Sequence, residues 1–154
     1  DVELVRKAVW TDDGGVDFGS EGADGASIFA PTAKTRVPSV RLRDRLLAED
    51  RIDLLKMDIE GAEAFVLPDC RGALGHVRNI FVEYHAYPDQ PQNLGEILGI
   101  LRESGFRYYL NSAVDRPRPL VNHRYRGNEA MDLQLNIFGY RENSRLKNSP
   151  FEGG

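Results

Sequence analysis

With 154 residues, 41% of them apolar, the chain is long enough for one domain of ordinary size with a real core. Twenty Lys and Arg against 24 Asp and Glu leave a net charge of -4, which gives no overall attraction for nucleic acid or an anionic membrane. The single cysteine, Cys70, excludes an internal disulfide and a multi-cysteine zinc site, and no apolar run nears the roughly 20 residues of a membrane span.

Val2 to Val9 is apolar and β-branched enough for a strand, and the turn signal Thr11 to Gly15 before Val16 to Phe18 predicts a hairpin. Gly19 to Lys34 reads as a loop, broken at most by a short strand near Ile28 and Phe29. A strand-like piece at Val37 to Leu42 leads into a short helix near Arg43 to Glu49. The stretch "IDLLKMDIE" is apolar nearly throughout, the pattern of a strand covered on both faces of a parallel sheet.

After Gly61 the pattern is helical as far as Pro68, with a second short helix over Asp69 to Leu74. "NIFVEYHA", Asn79 to Ala86, is the next buried strand. Asn93 with Glu96 resembles a capping box, Leu94, Ile97, Leu98 and Leu101 form one apolar helical face, and Gly105 is a natural stop. "FRYYLNSAV" and "DLQLNIFGYR" predict two closing strands, antiparallel because no helix separates them. The loop between them, Asp115 to Gly127, holds four arginines and His123, a set able to grip an anionic group if it is more than a solvated connection. Residues 1–141 are expected to form the domain, and 142–154 a frayed polar tail.

The acids stand out because both buried strands finish on them. Ligands of an open parallel sheet bind beyond the carboxyl ends of its strands. Asp58 and Glu60 lie at one such end, Glu83 and His85 at the next, each pair two positions apart and so on one face. Neighbouring strands would bring three carboxylates and an imidazole into one crevice. This oxygen-rich set, Asp58, Glu60, Glu83 and His85, suits Mg2+ or Mn2+ and makes a metal-dependent hydrolase one functional alternative. Glu63, in the first helical turn, complements the helix dipole, and Lys56 reaches solvent or a carboxylate.

"VPSVRLRDRLLAEDRIDLLKMDIEGAEAFVL" followed by "NIFVEYHA" and "ILRESGFRYY" resembles the C-terminal part of the FkbM-type S-adenosylmethionine-dependent methyltransferases. Two of that family's motifs are matched: Lys56, Asp58, Glu60, Gly61, Ala62 and Glu63 in one, Glu83 and His85 in the other. The resemblance implies an α/β fold with the class I methyltransferase (Rossmann-like) sheet, mostly parallel with an antiparallel last strand, in the order 3-2-1-4-5-7-6. Val2 to Trp10 would then be the third strand and the first two would be missing. With them would go the glycine loop and the ribose-binding acid; "GGVDFGSEGADG" precedes no helix and is no substitute.

The implied activity is methyl transfer from S-adenosylmethionine to a hydroxyl of a small molecule or saccharide. His85 is the first choice of base and Glu60 the second, with Glu83 orienting His85. Asp58 is placed for the cofactor's cationic end, and Trp10 or Thr11 for its adenine. A chain without half its cofactor site leaves a non-catalytic interaction domain, or a homo-oligomer that covers the bare strand edges, as further alternatives. The chain opens at Asp1 without a methionine or leader, and a cytoplasmic location is expected.

Overall fold

A computed structural model of the chain describes residues 2–20, 26–27, 35–88, 90–113, 118, 120–121 and 133–142. The expected strand at Ile28 and Phe29, nearly all of the Asp115 to Gly127 loop, and the tail beyond Glu142 lie outside them. The fold is mixed α/β, with nine strands and three α-helices among the described residues. No described helix is long and apolar enough to cross a membrane.

The centre is a four-stranded sheet of β6 (Ile52–Met57), β7 (Val77–Ala86), β8 (Arg107–Ser112) and β9 (Leu133–Tyr140), in the order β6-β7-β9-β8. β6 and β7 run parallel, while β9 is antiparallel to both β7 and β8, so three of the four strands point one way. The crossover from β6 to β7 carries α2 (Glu63–Asp69) and a 3-10 turn (Leu74–His76); α3 (Leu94–Glu103) connects β7 to β8. This is the expected alternation, with the closing pair antiparallel.

Among the described residues, helices cover one face only. Ile80, Val82 and Tyr84 of β7 are buried with Val66 and Leu67 of α2 and Ile97, Ile100 and Leu101 of α3. Each such fully buried aliphatic side chain contributes about 1.5–3 kcal/mol. The other face carries Leu54, Lys56, Phe81, Phe138 and Tyr109, where Phe138 meets Phe81 edge-on at 5.1 Å and stacks on Tyr109 at 4.9 Å. Leu54 is 61% exposed. The apolar run of β6 therefore does not reflect cover on both faces within the described residues, contrary to the sequence expectation.

The N-terminal part departs further. β1 is only Ala8–Trp10, and it pairs in parallel with β5 (Ser39–Arg41) rather than forming a hairpin with β2 (Val16–Ser20). β2 instead pairs antiparallel with β3 (Ala26–Ser27) and β4 (Thr35–Val37). The side chains of the 11–15 turn explain this. Asp13 Oδ1 accepts the Arg41 N–H, while the Ser39 hydroxyl donates to the Asp12 carbonyl and accepts the Gly15 N–H. The turn is thus fastened to β5 instead of folding β1 back on β2.

The short helix α1 (Leu42–Ala48) follows β5 directly. Arg41 holds Asp69 at the end of α2 through two hydrogen bonds of 3.0 and 2.6 Å, and Arg43 donates to the carbonyls of Asp69 and Arg71. These contacts anchor the β1–β5 pair beside α2. Two smaller expectations also change. Pro68 lies inside the last turn of α2 rather than ending it, and Asn93 caps α3 without a side-chain hydrogen bond, its N–H donating to the Tyr84 hydroxyl.

Candidate functional site

The site grows from the way β6 ends. After Met57 the chain leaves the ladder, and Glu60 (φ 53°) and Gly61 (φ 94°) turn it abruptly into α2. For glutamate this left-handed conformation costs about 1–2 kcal/mol. Glu63 offsets that cost from within the turn: its Oε1 accepts the Ile59 N–H at 2.8 Å and its Oε2 the Gly61 N–H at 2.9 Å. Hydrogen bonds to a charged group contribute roughly 1.5–3 kcal/mol each, so the pair outweighs the strain.

Glu63 is fully buried and has a further neighbour. His85 Nδ1 lies 3.5 Å from its Oε1, an ion pair too long to be a formed hydrogen bond. His85 itself is 4% exposed. Burial pulls its pKa down, but the interaction with Glu63, aided by the charges of Glu60 and Glu83, outweighs this and raises it above the usual value of 6.5. Dipole complementarity alone therefore understates Glu63. Its spacing two and four residues after Gly61 and Ile59 was the available sequence signal.

Glu83 shares the sheet face of His85 and accepts a hydrogen bond from Gln134 Nε2. Asp58 is paired with Lys56 Nζ at 3.0 Å. One ligating atom each from Asp58, Glu83 and His85 lies within 4.8 Å of the others. The expected convergence of the two strand ends is real for these three. Glu60 is not in that set, because its left-handed backbone breaks the alternation that would have kept it on the Asp58 face. It remains electrostatically close: burial raises its carboxyl pKa, His85 opposes this, and Asp58, Glu63 and Glu83 add to it.

A small cavity of about 30 Å³ opens beside His85, lined also by Gly61, Phe65, Tyr87, Gln90 and Asn93 among others. Tyr87 Oη donates to the Glu60 carbonyl at 3.4 Å, which ties the segment after β7 to the turn after β6. Trp10, at the end of β1, meets Phe65 at 5.8 Å between ring centres. Through Phe65, Trp10 reaches the cavity wall, with half-buried Thr11 next in the chain. Phe65, Tyr87 and Gln90 were not expected here from sequence, and Asn93 only as a helix cap, because no spacing rule brings the loop after β7 against α2.

The methyltransferase FkbM domain matches residues 3–108, more than half of the chain. No curated protein and no solved structure matches it.

Proposed function

The chain belongs to the FkbM methyltransferase domain family, and from that premise we propose that it transfers a methyl group from S-adenosylmethionine to a hydroxyl oxygen of a small molecule or saccharide. The observation that carries this reading is the pairing of Glu63 with His85, at the carboxyl ends of two adjacent parallel strands and beside a cavity. The strand order β6-β7-β9-β8, with β9 reversed, also supports the class I arrangement, as the counterpart of its 4-5-7-6 half.

The residues present fit the cofactor in part. The Trp10 ring offers a face for adenine, and the Asp58 carboxylate suits a cationic amino-acid end once released from Lys56. Among the described residues, β6 has a hydrogen-bonded neighbour on one side only, and no glycine turn follows a strand on the other. S-adenosylmethionine, when bound, supplies the electrophilic methyl on its sulfonium.

The chain's own residues must hold the hydroxyl in line with that methyl and remove its proton. Of the two bases expected from sequence, we assign the proton to Glu60. It is half-buried, and burial pushes its carboxyl upward, toward the pH at which it acts. His85 is nearly sealed, with one nitrogen turned to Glu63, which suits it to holding a ligand in a fixed direction. Glu83, held by Gln134, flanks it.

Calorimetric titration of the chain with S-adenosylmethionine and with S-adenosylhomocysteine tests the reading. Saturable binding of both is expected. No binding of either at millimolar concentration would overturn it.

A further inference from the structure

Two buried side-chain atoms among the described residues have no hydrogen-bond partner: His85 Nδ1 and Asn136 Oδ1. Both belong to one patch of the sheet. Asn136 stands opposite Glu83 in the β7–β9 register, and His85 follows two residues later on the same face. An unsatisfied buried acceptor such as Asn136 Oδ1 costs about 1–3 kcal/mol, and His85 Nδ1 has only the 3.5 Å approach of Glu63, so the patch has polar capacity left for an occupant held by the other ring nitrogen.

The surrounding chemistry identifies its class. Asp58, Glu83 and a ring nitrogen of His85 lie within 4.8 Å of one another, close enough to share one ion. Behind His85 stands Glu63, whose carboxylate is fixed by two backbone N–H groups. A carboxylate behind one nitrogen of an imidazole directs the lone pair of the other nitrogen outward, the arrangement found behind metal-bound histidines.

We propose that Asp58, Glu83 and His85 bind a divalent cation of the Mn2+ or Mg2+ class, with Asn136 beside it. Two carboxylate oxygens and one imidazole nitrogen favour Mn2+, which accepts mixed oxygen and nitrogen ligands, over the all-oxygen preference of Ca2+. Binding requires Asp58 to leave Lys56, and the side chain of Asp58 is 30% accessible, so the exchange needs no unfolding. Glu83 keeps one oxygen for Gln134 and has the other for the ion.

On the methyltransferase reading, the ion would hold the acceptor oxygen and ease removal of its proton, leaving Glu60 to take it, and Asp58 would then serve the ion in place of the cofactor's cationic end. The site itself does not depend on that reading. The experiment is therefore a Mn2+ titration of the chain without S-adenosylmethionine, following loss of the free-ion electron paramagnetic resonance signal. One ion per chain is expected, displaced by excess Mg2+. Asp58→Asn and Glu83→Gln, on accessible and half-buried side chains, should each weaken binding at least about tenfold.

An undiminished free-ion signal with the unmodified chain would overturn the site. So would binding that both variants retain in full, since the ion would then sit elsewhere. S-adenosylmethionine titration of the same sample reports on the methyltransferase reading separately.

Discussion

Glu63 stands 3.5 Å from His85 across the ends of β6 and β7, and both side chains are sealed from solvent. One carboxylate thus serves the turn that precedes its helix and the imidazole of the next strand. Glu63→Gln should fail at both tasks. The amide can accept only with its oxygen, so its NH2 group faces a backbone N–H that it cannot satisfy. A loss of about 1–3 kcal/mol in urea unfolding is expected, with a fall of the His85 pKa in an NMR titration. An unchanged pKa would show that Glu63 does not govern His85.

The pH dependence of stability follows from the same pair. The folded pKa of His85 is raised above 6.5, so its stabilising contribution is full below that pH and is lost as pH rises through the folded value. At the acid end, Asp69 is held low by its hydrogen bonds to Arg41; its contribution is present above 3.8 and lost as pH falls. Thermal stability should therefore decline as pH rises above 6.5, and Glu63→Gln should flatten that limb. A limb equally steep in the variant would contradict the assignment.

Glu60 is strained where it is proposed to act. Glu60→Gly removes the left-handed penalty and with it the carboxylate. Net stability should rise by up to about 1 kcal/mol, since the relief of strain exceeds the entropy that glycine adds to the unfolded chain. Methyl transfer to any acceptor the protein accepts should fall by roughly 100-fold or more, the contribution of a positioned base. A destabilised variant with full turnover would refute both halves.

Gly139 tests the packing of the central sheet. A Cβ there would lie 2.6 Å from Ile80 Cγ2 and 3.6 Å from the Phe106 ring, in a core with no room to yield. Gly139→Ala should cost about 1–3 kcal/mol in chemical denaturation. An unaffected midpoint would mean that Gly139 lies farther from Ile80 and Phe106 than described.

The parts legible in sequence were those with local causes. The β6–α2–β7–α3–β8 succession followed from apolar periodicity and from glycine and proline positions, and the two strand ends carrying Asp58, Glu83 and His85 followed from the two-residue repeat. What failed depended on partners distant in sequence. The hairpin of β1 and β2 was lost because Ser39 and Arg41 compete for the turn at 12–15, which no local pattern announces. Glu60 was placed with Asp58 by alternation, and a single positive φ removed it. Glu63 looked like a helix-end charge because its role lies in two backbone groups behind it and in a histidine one strand away.

The cavity has two walls of unlike origin. Gly61 and Phe65 follow a turn that Glu63 ties to its own backbone, while Tyr87, Gln90 and Asn93 come from the connection before α3. A mutation on the first wall disturbs the histidine and is paid for at once in chemistry. On the second, Gln90 and Asn93 make no described side-chain contact with Glu60 or His85, whereas Tyr87 is tied to the Glu60 carbonyl and shares the constraint of the first wall. On the proposed reading, Gln90 and Asn93 are therefore the positions at which acceptor preference can change with the least disturbance of Glu60 and His85.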